Sequence, residues 1–132
     1  AGKPAKIAFS EATTPTVLYL LSPECKWCER NEANLRALAV QTSGRFRIIG
    51  LSRTTTGLVS YLAERQYPFP VYAARDDQIG RTLGVTGIPH TIVVSSDGHV
   101  LKIWGGAYQN TWSRELETYF DIKLPGLSPG EG

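Results

Sequence analysis

The chain has 132 residues, a length that suits one hydrophobic core and is short for two. Its apolar fraction of 42% and charged fraction of 20% are those of an ordinary globular domain, which argues against disorder and against a membrane-embedded protein. Fourteen Lys and Arg against twelve Asp and Glu leave a formal charge of +2 with no basic run, so no nucleic-acid partner is expected.

Along the chain, Lys6 to Phe9 reads as an edge strand. Thr16 to Ser22 (TVLYLLS) is a near-continuous apolar run bounded by Pro15 and Pro23, which fits a strand buried on both faces of a sheet. From Lys26 to about Thr42 apolar residues recur at helical spacing, and Gly44 ends that helix. Arg45 to Ser52 reads as a second buried strand, after which Thr54 to Thr56 and Gly57 supply the loop and cap of a helix through about Gln66. A short strand over Phe69 to Ala73 and a short helix over Asp77 to Leu83 continue the alternation, which implies crossovers and a largely parallel sheet. The ending differs. His90 to Ser95 and His99 to Gly105 flank the turn Ser96-Asp97-Gly98 and predict an antiparallel hairpin. Asn110 or Thr111 then caps a last helix through Tyr119 or Phe120. One domain is expected over 1–123, with a flexible, Pro- and Gly-rich tail over 124–132.

No apolar stretch approaches the roughly 20 residues that span a bilayer, and Ala1 to Lys6 lacks the long apolar segment of a secretory signal. Two cysteines are too few for a disulfide scaffold of the small secreted kind, so their spacing has to be read on its own. Cys25-Lys26-Trp27-Cys28 stands where a buried strand passes into a helix. Unpaired main-chain N–H groups in a first helical turn favour a thiolate over a thiol, so Cys25 is expected to have a lowered pKa. With two residues between them, both sulfurs can close a disulfide. The chemistry this predicts is exchange: Cys25 attacks a substrate disulfide, and Cys28 resolves the mixed disulfide. CxxC also occurs in zinc and iron-sulfur sites. Zinc needs further ligands, and the spacing of the two remaining candidates, His90 and His99, fits no common structural site. No metal and no cofactor beyond the redox-active Cys25-Cys28 pair is expected.

CKWC, together with Gly84 to Thr91 (GVTGIPHT) and the wider segment DQIGRTLGVTGIPHTIVVSSDGHVLKIWGG, resembles the TlpA/ResA-type branch of the thioredoxin superfamily. The resemblance covers about Thr16 to Phe120. It implies a thioredoxin-like three-layer α/β/α sandwich, with a mixed central sheet, a C-terminal antiparallel hairpin and an inserted helix-strand unit between Ser52 and Ala73. It further implies that Pro89 is cis and faces the Cys25-Cys28 disulfide, while the backbone of Ile88 binds extended substrate polypeptide. The alternative for Pro89 is a trans bond opening a strand. Trp27, inside the motif, either forms an exposed platform for a docking polypeptide or packs into the core.

The sequence departs from that pattern where protons are handled. Tyr19 stands where thioredoxins have a buried aspartate, and Asn31 where ResA-like proteins often carry a glutamate. Glu24 replaces a tryptophan before the first cysteine, and Ala33 replaces a helix-kinking proline. Glu29, Glu32 and His90 are the available substitutes. His90 follows Pro89 directly and carries an imidazole, a proton-exchanging group, so it either serves the sulfurs or the substrate, or is a strand residue turned away from them.

By the resemblance the chain is a monomeric reductase of disulfide-containing proteins. It would work outside the cytoplasm, in a bacterial periplasm or anchored to the membrane facing it, supplied with electrons by a membrane partner. Two rival functions remain. A peroxiredoxin-like peroxidase shares the insertion, but Leu18 occupies that signature's proline position. A Cu(I)-binding chaperone is consistent with soft thiolates, although copper carriers on this fold usually space their cysteines by three residues.

Overall fold

The computed structural model describes residues 8–73, 81, 84 and 87–129. A 3-10 turn at Phe9–Glu11 leads into β1 (Thr16–Leu21), α1 (Lys26–Arg30), α2 (Glu32–Gln41), β2 (Arg47–Ser52), α3 (Leu58–Arg65), β3 (Val71–Ala73), β4 (His90–Val94), β5 (Val100–Gly105) and α4 (Asn110–Phe120). The strands form one sheet in the order β3-β2-β1-β4-β5. β1, β2 and β3 pair in parallel, and β4 pairs antiparallel to both β1 and β5. This is the mixed sheet with a terminal hairpin that the sequence predicts.

β1 is buried at every position because both of its faces are covered. Val17, Tyr19 and Leu21 enter one apolar cluster, with Leu35 and Leu38 of α2, Leu58 and Tyr61 of α3, and Leu116 and Phe120 of α4. Leu18 and Leu20 enter the other with Ile49, Leu51, Ile92 and Val94, against which Phe9 and Ile88 pack. The helix expected at 77–83, which would supply the third layer, lies largely outside the described residues.

Three local expectations change, at Phe9, at Asn31 and at the start of α4. Phe9 opens the 3-10 turn where an edge strand was expected, while Lys6 and Ile7 lie outside the described residues. The single helix expected from Lys26 breaks at Asn31 into α1 and α2. Gly57, from the expected loop and cap segment, is the cap position of α3 and makes no side-chain cap bond. Gln109, not Asn110 or Thr111, is the cap position of α4.

The tail differs most. In place of a free end, residues 124–129 lie along the helices: Leu124 N–H donates to Glu117 Oε2 at 2.8 Å and Gly126 N–H to Asn34 Oδ1 at 2.8 Å. Ser128 N–H donates to the Arg30 carbonyl at 2.9 Å, and Arg30 Nε donates back to the Ser128 carbonyl at 3.0 Å. A Pro- and Gly-rich composition reads as loose because such main chain builds no helix or strand, yet its N–H and C=O groups remain available to distant partners.

β5 is the outer strand beyond β4, and Val100, Leu101 and Ile103 on it are exposed. Lys102 Nζ lies 2.8 Å from Glu115 Oε1 on α4, and the same oxygen accepts from Trp104 Nε1 at 3.1 Å. At the opposite side of the sheet, a Cβ on Gly50 would stand 2.9 Å from Val71 Cγ2 and 3.2 Å from Phe69 Cε1. β3 therefore sits close only because residue 50 lacks a side chain. Gly50→Val should destabilise the fold by about 1–3 kcal/mol through overpacking, read from the urea midpoint; an unchanged midpoint would mean that β3 yields freely.

Candidate redox site

Cys25 and Cys28 are joined as a disulfide with a Cα–Cα distance of 5.2 Å. They sit where β1 ends and α1 begins, and Cys25 is the cap residue of α1. The Cys28 N–H donates to Cys25 Sγ at 3.0 Å. α1 is only five residues long, so this directed bond, more than a helix dipole, is what stabilises negative charge on that sulfur. The two sulfurs differ in access: Cys28 is 1% exposed, while Cys25 is half-buried.

Antiparallel pairing fixes what faces this end of the sheet. Tyr19 pairs with Thr91 and Leu20 with His90, so the next step of the register puts Pro89 beside Leu21, at the cysteine end of β1. The Ile88–Pro89 peptide is cis. Ile88 is half-buried, and both it and Cys25 pack against the cluster that contains Cys28. Trp27 is exposed, and the Arg30 guanidinium lies over its ring at 4.4 Å from the centroid.

His90 is not brought to the sulfurs. It pairs with Leu20 and alternates with Ile92 and Val94, so it belongs to the face of the second cluster, whereas Cys28 belongs to the first. Its Nδ1 is 2.9 Å from the Gly87 carbonyl, and its Nε2 lies against Gly105. The two glutamates are also engaged elsewhere. Glu32 pairs with Arg65 at 2.9 Å and with Arg36 at 3.1 Å, and Glu29 lies 3.9 Å from Arg65. Among the described residues no group of three or more His, Cys, Asp or Glu side chains gathers as a metal-binding set.

What lies one helical turn beyond Cys28 is a buried neutral network. Asn31 Nδ2 donates to Tyr19 Oη at 3.1 Å, so two of the four positions at which the sequence departs from the pattern it resembles contact each other. Asn31 Oδ1 accepts from the Tyr108 N–H at 3.0 Å and from Asn34 Nδ2 at 3.0 Å. Tyr108 Oη in turn lies 2.6 Å from Thr91 Oγ1. Asn31, Asn34 and Thr91 are fully enclosed. Asn34 and Tyr108 were not singled out from the sequence. The signal was there for Asn34, a polar residue beside Leu35 and Leu38 on the buried stripe of α2.

No family model matches the chain, nor does any curated protein sequence. Solved structures do. A thiol-disulfide isomerase from Corynebacterium glutamicum aligns with a TM-score of 0.68 at 15% identity, over 90% of this chain and 88% of that one. StoA from Bacillus subtilis aligns with a TM-score of 0.66 at 12% identity, over 80% and 81% of the two chains. A secreted Mycobacterium tuberculosis disulfide oxidoreductase homologous to Escherichia coli DsbE aligns with a TM-score of 0.65 at 19% identity, over 82% and 81%. The chain thus has a thioredoxin-like α/β fold, with a CxxC pair at disulfide distance at the carboxyl end of its central strand.

The network also sets a pH response. Burial, reinforced by the neighbouring Tyr108, holds the Tyr19 phenol well above its ordinary value, and burial raises that of Tyr108. Unfolded phenols ionise near pH 10 while these remain protonated in the fold, so their contribution to stability is complete below about pH 10 and is lost progressively as pH rises from there toward the raised values of the folded state. Urea midpoints should fall above that pH, and fall less steeply in Tyr19→Phe. An identical slope in both proteins would remove Tyr19 from the alkaline transition.

Proposed function

We propose that the chain is a thiol-disulfide oxidoreductase of the TlpA/ResA type, acting as a reductase on disulfides of other proteins. The observation that carries this reading is the unequal burial of one bonded pair: Cys25 is open to a partner, and Cys28 is enclosed behind it. In the reduced protein the Cys25 thiolate attacks one sulfur of the substrate disulfide, forming a mixed disulfide and expelling the other substrate sulfur as a thiolate. Cys28 then loses its proton and attacks Cys25 Sγ. The Cys25–Cys28 bond closes, the second substrate thiol leaves, and the substrate has gained two electrons that the cysteine pair has lost.

The exposure of Trp27 two residues beyond Cys25, and the strand register that brings the Ile88–Pro89 step to the end of β1, support a role for both in holding an extended polypeptide at this sulfur. His90, turned to the other face, is better read as fixing the loop to Gly87 than as a base. Electrons return to the pair from a dithiol donor, by the resemblance a membrane protein. The fold shared with a secreted DsbE homologue supports an extracytoplasmic setting, and the proposed form of the protein is a monomer.

Two measurements test this. Insulin reduction by the dithiol form should be lost in Cys25→Ser, while Cys28→Ser should accumulate a mixed disulfide; full activity in Cys25→Ser would overturn the reading. Equilibration with glutathione fixes the direction, because about 30 mV corresponds to 1.4 kcal/mol for this couple. A reductase should hold its pair oxidised in a buffer that keeps glutathione largely reduced, and a reduced pair there would make the protein an oxidant.

A further inference from the structure

The geometry points to residues 124–129 as a strap that positions Cys28 for the resolving step, an inference that rests on the exchange reaction proposed above. α1 carries Cys28 and is too short to hold itself together as an isolated helix. The disulfide closes its first turn on itself, from Cys25 to Cys28, while Arg30 and Asn31 fasten its end to the rest of the fold. Reduction opens that first turn. From then on, the burial of Cys28 rests on its packing in the core cluster and on how firmly the far end of α1 is held.

The tail does that holding at two points. Ser128 and Arg30 exchange hydrogen bonds at 2.9 and 3.0 Å, so the last residue of α1 is paired with the strap. Gly126 N–H donates to Asn34 Oδ1 at 2.8 Å, and Asn34 Nδ2 donates to Asn31 Oδ1 at 3.0 Å and to the Tyr108 carbonyl at 3.3 Å. Asn31 completes the path to Tyr19 on β1. A line of hydrogen bonds thus runs from the tail through two enclosed asparagines to the turn after Cys28. Leu124, upstream, packs against the cluster that contains Cys28 and anchors the strap.

Gly126 makes the contact possible. Its φ is +106°, a conformation that a residue with a side chain rarely adopts, and a Cβ there would meet nothing within 4 Å. Gly126→Ala therefore strains the strap's main chain without touching the core. A chain ending at Pro125 removes the two contacts outright and keeps Leu124.

Both variants and the parent chain are reduced with a phosphine, and alkylation by iodoacetamide is followed separately at Cys25 and Cys28 by mass spectrometry. The expected result is a rise in the Cys28 rate of about fivefold in Gly126→Ala, the ratio given by losing roughly one hydrogen bond that opposes local opening, and a larger rise in the chain ending at Pro125, which loses three, with the Cys25 rate unchanged in both. An unchanged Cys28 rate overturns the inference. So does a rise shared equally by Cys25 and accompanied by a lowered melting temperature, which would mark general loosening. If the parent chain alkylates normally but exchanges no substrate disulfide, the proposed function fails, while the Cys28 to Cys25 ratio still decides the role of the strap.

Discussion

An amide enclosed away from water must find protein partners for its nitrogen and its oxygen, and Asn31 meets that constraint by drawing four parts of the chain to one point. Tyr19 from β1, Tyr108 from the loop before α4, Asn34 from α2 and, through Asn34, Gly126 from the tail converge there. The position of α1 depends on this convergence. So does the break between α1 and α2, since the Asn31 side chain is committed to β1 and to Tyr108 at the point where the helix is interrupted.

The sheet supplies the other half of the site. Because β4 runs antiparallel to β1, its first residues lie beside the last residues of β1, and the Ile88–Pro89 step comes to the end from which Cys25 projects. Residues more than 60 apart in sequence are thereby brought to one place by strand register alone. The surroundings of Cys28 are neutral, formed by amides and phenols, while the nearby carboxylates Glu29 and Glu32 are bound to arginines. Charge in this part of the molecule sits on an outer layer around α1 to α3, and the inner layer adjoining the sulfur contains none among the described residues.

Much of this was legible in the sequence because it rests on local signals. A both-sides-buried run between prolines marks β1, Ser96-Asp97-Gly98 marks the hairpin, and two cysteines at a strand-to-helix junction mark the site. What was not legible depends on contacts between distant segments. The break at Asn31 cannot be read from α1 and α2, whose apolar spacing is continuous, because its cause lies in Tyr19 and Tyr108, 12 and 77 residues away. The tail looked loose because Pro and Gly form no regular element, and its partners are side chains 92 and 98 residues away. The side on which His90 falls is a question of parity along β4, which register decides and composition does not.

The outer strand β5 leaves one further matter. Its exposed Leu101 and Ile103 share one face at the outer margin of the sheet, the kind of surface on which strands from other molecules stack. Lys102, the cation of that strand, points to the other face with Trp104, and Glu115 of α4 holds both. The hold on that cation and the fastening of the last helix are thus one contact. A molecule in which α4 lifts away loses its fastening and releases the cation of the outer strand together, because both depend on the same carboxylate.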